Sequence, residues 1–332
     1  MYNFKLFAAA SVMAATATTA SAQDVSVSID GTNRVELGSA TSESGDAGDK
    51  NKAIAVGDGA DAEASGGSNN FAKALEDGST AFAGDGDNNT ATASGLDSEA
   101  FAGSGDNNTA TASGDDSTAL AGGGDNNTAT ASGDGSTATA GVRGNVASDN
   151  NTATASGENS TATAGSGDNN TATASGDEST ATAGGDGVNI GNNNTATASG
   201  DGARARALGD DNTVTASGED SEALTSNDST GNTVTASGDG SRAETQRSAT
   251  GNTVTASGDD STAIARDGDD NTVTASGDGS TATVGSGDDN TVTASGDGST
   301  ASVTRGNNNT VTASEKDSTE SVSDDSGQTV TD

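Results

Sequence analysis

A nineteen-residue unit repeats along most of this chain, cleanest from Asn271 to Asp289 as NTVTASGDGSTATVGSGDD. Its opening asparagine falls at Asn51, Asn70, Asn89, Asn108, Asn127, Asn151, Asn170, Asn194, Asn212, Asn232, Asn252, Asn271, Asn290 and Asn309, and eight of the thirteen intervals are nineteen residues. So short a fixed period restricts the chain to architectures in which each unit packs on its neighbours. Each unit holds two alternating runs, N-T-(A/V)-T-A-S-G and D-x-S-T-A-T-A-G, with Gly, Asp, Asn and Ser between them. Small apolar residues alternating with polar ones have the period of a strand, and the intervening residues are those that turn a chain. The spacing predicts an all-β fold, a parallel β-solenoid (β-roll) of about 14 coils of 19 residues, two strands per coil. At roughly 4.8 Å per rung the rod is about 65 Å long.

Composition by itself points elsewhere. Leu, Ile, Val and Phe number only 34 of 332, and the net charge is −37, a balance typical of disordered chains. Disorder gives no reason to keep alanine at every second place through a dozen units. A narrow solenoid does, because two strands facing each other closely leave room only for Ala, Ser or Val.

The first residues read as a secretory leader: Lys5, the apolar stretch Leu6 to Ala15, and Ala20-Ser21-Ala22 as a small-residue cleavage site. Cleavage after Ala22 leaves a secreted or cell-surface chain starting at Gln23, without Cys, His, Trp, Tyr, Pro or Met, and loss of Lys5 takes the charge to −38. The apolar stretch is too short to span a bilayer, so no membrane insertion is expected. Rigidity must come from stacking or bound ions, since no disulfide is possible. The acidity excludes nucleic acid as a partner and favours cations.

Four segments follow: leader 1–22, an N-terminal cap 23–50 with the runs Val25 to Ile29 and Arg34 to Leu37, the solenoid 51–314, and a charged cap or tail 315–332. Orientation comes from the two most diverged units. Lys52 and Ile54, then Phe71 and Lys73, occupy the threonine places, while Ala53, Ala55, Ala72 and Ala74 alternate with them. Lysines belong outside, so the alanines face in and the threonines out. From Val214 onward the first inward place changes from Ala to Val, and five-residue insertions fall at one corner, around Val142 to Ser148 and Gly185 to Ile190.

The run NKAIAVGDGADAEASG from Asn51 resembles the head repeats of YadA-like trimeric autotransporter adhesins, with Asn33 to Gly38 a weaker echo. That resemblance implies a parallel β-roll that binds host matrix or other surfaces. Gly135 to Gly141 (GSTATAG) and Gly279 to Val284 are similar to the core of bacterial ice-nucleation repeats, which implies a water-ordering Thr-x-Thr column. Gly285 to Thr293 (GSGDDNTVT) resembles the RTX β-roll nonapeptide and implies calcium at the turns; the curlin repeat also sets asparagine before a short strand.

Catalysis is not expected. Only carboxylates are on offer, and they recur at equivalent turns in every unit, whereas an active site needs a singular constellation. Calcium is the one cofactor with candidates, the corner residues Asp106, Asp125, Asp168, Asp288 and Asp289, weighed against acids that only solvate turns. The sharpest feature is a pair of threonine columns on the first strand. They comprise Thr90 and Thr92, Thr109 and Thr111, Thr128 and Thr130, Thr152 and Thr154, Thr171 and Thr173, Thr195 and Thr197, Thr213 and Thr215, Thr233 and Thr235, Thr253 and Thr255, Thr272 and Thr274, Thr291 and Thr293, and Thr310 and Thr312. The second strand's outward places vary, with Glu99, Phe101, Arg204, Arg206, Glu222 and Glu244 among them. β-propensity and solubility alone would let both faces vary. The asymmetry points to a uniform face for a repetitive surface or extracellular polymer, for ice, or for another copy of the chain.

Overall fold

The computed structural model describes residues 24–45, 49–141, 148–185 and 190–332. The leader and most of both insertions lie outside the described residues. Among the described residues every regular element is a strand of three to six residues, as the alternating pattern requires, and the strands form one 17-stranded and one 15-stranded sheet. One strand from each unit joins each sheet, so the chain is a β-solenoid of about fifteen turns of about nineteen residues. The register is set residue on residue: Thr109 to Ala112 pair with Thr128 to Ala131 on one side and Thr90 to Ala93 on the other, all parallel. The opposite sheet repeats the arrangement, with Thr118 to Ala121 on Thr137 to Ala140.

Between the sheets lies a column of methyl groups. Ala91, Ala93, Ala110, Ala112 and their equivalents are fully buried, and Val214, Val234, Val254, Val273, Val292 and Val311 continue one inward column at the same zero exposure. Alanine suits this space because a larger side chain would force the sheets apart, and close-packed interiors tolerate little overfilling.

The corners explain the rest of the repeat. In the doublets Asn88-Asn89, Asn107-Asn108 and Asn126-Asn127, the first residue has φ near +60°, while the second is buried. Left-handed backbone is open to Gly and tolerated by Asn and Asp, and the equivalent places hold Asp270, Asp289 and Gly251. The other corner has the same device ahead of a buried serine: Asp97 before Ser98, Gly279 before Ser280.

The buried asparagines form a ladder through the whole rod. Asn89 Oδ1 accepts the Asn108 backbone N–H at 2.9 Å, and Asn89 Nδ2 donates to the Gly105 carbonyl at 2.9 Å. Each amide thereby ties its own turn to the next and leaves its own polar atoms satisfied, which is the condition for burying them.

The ends depart from the pattern. Strand β1 (Val25–Ile29) runs antiparallel to both β2 (Thr32–Leu37) and β4 (Lys52–Val56), while β3 (Thr41–Ser44) already stacks in parallel in the opposite sheet. In β1 the serines, not the valines, face in: Ser26 and Ser28 are 1 % exposed and their hydroxyls meet those of Ser42 and Ser44 at 2.7 and 2.9 Å. At the other end stacking runs past Ser314, and the stretch expected as cap or tail carries two more parallel strands, Thr319–Val322 and Thr329–Thr331.

Candidate functional site

The threonine columns occupy the outer face of the 17-stranded sheet, called here the Thr sheet. In each TATA or TVTA strand both threonines are outward and at least partly exposed, and both intervening residues are buried. Consecutive pairs are in register from Thr90 and Thr92 through to Thr310 and Thr312, so the structure brings all twenty-four side chains onto one face. Threonines two apart on a strand are about 6.8 Å from each other and rungs repeat at about 4.8 Å, which makes a rectangular grid of methyls and hydroxyls. No charged or aromatic residue stands in these columns between Thr90 and Thr312.

A thirteenth rung was missed in the sequence. Thr329 and Thr331 pair with Thr310 and Thr312, and Gln328 takes the ladder place of asparagine, its N–H donating to Asn309 Oδ1 at 2.9 Å. The signal was QTVT in place of NTVT, hidden by one amide exchanged for its longer homologue. Toward the N-terminus the columns change character to Phe71 and Lys73, then Lys52 and Ile54, then Val27 and Ile29 of β1.

The corner acids flank this face in a row of their own. Asp106 Oδ1 accepts the Asp87 N–H at 2.7 Å, Asp125 accepts from Asp106 at 2.8 Å, Asp168 from Asp149 at 2.9 Å and Asp288 from Asp269 at 2.9 Å. Each carboxylate thus closes the turn of the preceding rung. Asp289 sits one residue on, in left-handed backbone with φ 59°. Asp106, Asp125, Asp168 and Asp288 stack in one column with Asp289 in the next, and among the described residues no three acidic side chains gather where a metal ion would sit.

The opposite sheet presents a changing outer surface. Phe82 and Phe101 stack with ring centroids 4.7 Å apart, and further along Arg204, Glu222, Arg242 and Glu244 form a chain of ion pairs. Glu99, Phe101, Arg204, Arg206, Glu222 and Glu244 all occupy outward places there, as their alternation with buried alanines requires. Among the described residues no helix is long and apolar enough to cross a membrane. Comparison with protein-family models, with curated proteins and with solved structures finds no match to this chain.

Proposed function

We propose that this is a secreted, non-catalytic rod that adheres through its Thr sheet to a repetitive surface in the extracellular space. The observation that carries the reading is the twelve-rung run of in-register threonine pairs without one interruption, on a molecule whose opposite face varies freely. A rigid grid of identical weak contacts gains most from a ligand that repeats along the same direction, because each rung then adds its share without a new ordering cost.

Ice is the second reading, favoured by what the columns omit. Macromolecular interfaces concentrate their energy in buried Trp, Tyr and Arg anchors, and no such residue stands in the columns from Thr90 to Thr312. Methyls and hydroxyls at fixed spacing suit an ordered water layer.

One variant separates the readings from each other and from chance. Thr253→Tyr places a ring in the middle of the grid. Adhesion predicts retention of the mature chain on cells or matrix that falls several-fold in this variant, with no thermal hysteresis in either protein. Ice binding predicts faceted crystals and hysteresis with the parent chain, abolished by the same change. Retention that is unaffected by Thr253→Tyr, together with no effect on ice, removes the Thr sheet as the binding face.

A further inference from the structure

The opposite sheet breaks its own rule at one place. The inward site held by Ala164, Ala183 and Ala207, all fully buried, becomes Thr225 and then Thr245 before alanine returns at Ala265. The strand Glu222–Leu224 is cut to three residues there, and two successive units lengthen to twenty. Thr225 uses its hydroxyl within the fold, accepting the Leu208 N–H at 2.8 Å and donating to the Leu208 carbonyl at 2.9 Å. Thr245, 1 % exposed, has a hydroxyl with no hydrogen-bond partner. Several buried corner serines share that condition, but Thr245 lines a hollow of about 210 Å³ that opens to solvent between Arg206, Leu208, Leu224, Ser226 and Glu244.

Charge in the hollow is unbalanced in a telling way. Arg204 pairs with Glu222 at 3.4 Å, Arg242 with Glu222 at 3.5 Å and with Glu244 at 2.5 Å, and Arg247 with Asp267 at 2.6 Å. Arg206 is half-buried, and among the described residues no carboxylate lies within ion-pair reach of it, in a chain with 50 Asp and Glu. Glu244 is 13 % exposed, and only one of its oxygens is engaged by Arg242. A partly desolvated guanidinium without a counter-charge is costly, and its planar donor fork fits a carboxylate.

We propose that this hollow is a subsite for a hydroxylated carboxylate, the chemistry of a uronate sugar, free or at the end of an acidic polysaccharide. The ligand carboxylate pairs with Arg206, an apolar ring face lies on Leu208 and Leu224, and ring hydroxyls meet Thr245 and the second oxygen of Glu244. The site lies on the sheet opposite the threonines, so it stands or falls independently of the Thr face.

The test is calorimetric titration of the full mature chain with glucuronate, with glucose as the neutral control and with polygalacturonate as the polymer. Glucuronate should bind and glucose should bind at least about tenfold more weakly, the usual worth of a charge-assisted hydrogen bond. Arg206→Gln, a change on the outer face of the sheet, should cost a similar factor for monomer and polymer alike. Thr245→Val should weaken glucuronate while leaving the thermal midpoint unchanged or raised, because it removes a buried hydroxyl that has no partner. Tighter binding of the polymer per uronate end points to the polysaccharide as the source, and equal binding points to the free acid. The proposal is overturned if glucuronate does not bind, if glucose binds equally well, or if Arg206→Gln or Thr245→Val leaves the affinity unchanged.

Discussion

Asn252 is the place to test whether the asparagine ladder or the alanine core holds the rod together. Its side chain is fully buried, accepts the Asn271 backbone N–H at Oδ1 (2.9 Å) and donates from Nδ2 to the Gly268 carbonyl (3.0 Å). Asn252→Leu keeps the volume and strands both backbone groups where no water reaches them. An unpaired buried polar group costs about 1–3 kcal/mol, so the variant should lose about 2–6 kcal/mol, less what the apolar side chain returns. Thr253→Val, one residue away and facing solvent, should stay within about 0.5 kcal/mol of the parent. Urea unfolding followed by circular dichroism measures both. If Asn252→Leu unfolds at the same urea concentration as Thr253→Val, the ladder contributes nothing beyond space filling and the reasoning fails.

Three further outcomes follow from the geometry. Ala275→Asp buries a charge in the methyl column, where exposure is zero, and should cost at least about 3 kcal/mol, whereas Thr272→Ser on the outer face should be silent; equal losses in thermal midpoint would reverse the assignment of inside and outside. Gly258→Ala drives a methyl into the Gly277 carbonyl of the next rung and should cost about 3 kcal/mol, while Gly279→Asn, at φ +65° with nothing within 4 Å, meets only the backbone strain that Asn tolerates and should cost no more than about 1 kcal/mol in the same melts. Hydrogen bonds from the Ser39 hydroxyl and N–H hold the Asp24 carboxyl below its usual pKa, so this tie between β1 and the end of β2 is complete above the ordinary carboxylate range and is lost as pH falls through the lowered value; the Ser39 amide resonance should titrate there, and not in Asp24→Asn.

The architecture was legible because its two periods are independent of each other. The nineteen-residue repeat gives the turns, and Lys52 and Lys73 among alanines give the direction of the side chains in the repeat's first strand. Corners are harder, because there the backbone, not the alternation, decides direction. Nothing in the doublet Asn107-Asn108 distinguishes the residue in left-handed backbone from the one in the ladder, except that units such as Gly251-Asn252 and Asp270-Asn271 vary the first and keep the second. The corner aspartates suffered the same ambiguity. A carboxylate that accepts an amide from the adjacent rung and one that awaits a cation leave the same trace in a repeat, and only the position of the N–H tells them apart. The Val-Ser alternation of β1 misleads in a different manner. Valine normally takes the inward place, but here the space opposite belongs to Ser42 and Ser44, and hydroxyl pairs fill it.

What stops such a rod from adding another rod at its end is a separate problem from what makes it fold, since every added turn is held by the same contacts. Two glutamates bear on it. Glu36 of β2 lies in register with Ser26, whose side chain faces in, and Glu320 lies in register with Ala301 in the last strand of the opposite sheet. Each therefore carries a carboxylate on the inward side of a terminal strand, in a column that elsewhere holds small uncharged residues. A head-to-tail junction has two strand contacts to make. In the Thr sheet it brings β2, with Glu36, against Thr329–Thr331; in the opposite sheet it brings β3 against Thr319–Val322, with Glu320. Such a junction would bury one carboxylate in each contact, and desolvating an unpaired carboxylate costs several kcal/mol. Glu36 and Glu320 thus put charge on the inward side of these strands, while the twelve threonine rungs between them stay free of it. On the proposed reading, a threonine face without charge between two such strands fits a partner that lies against the side of the rod better than a second rod added along its axis.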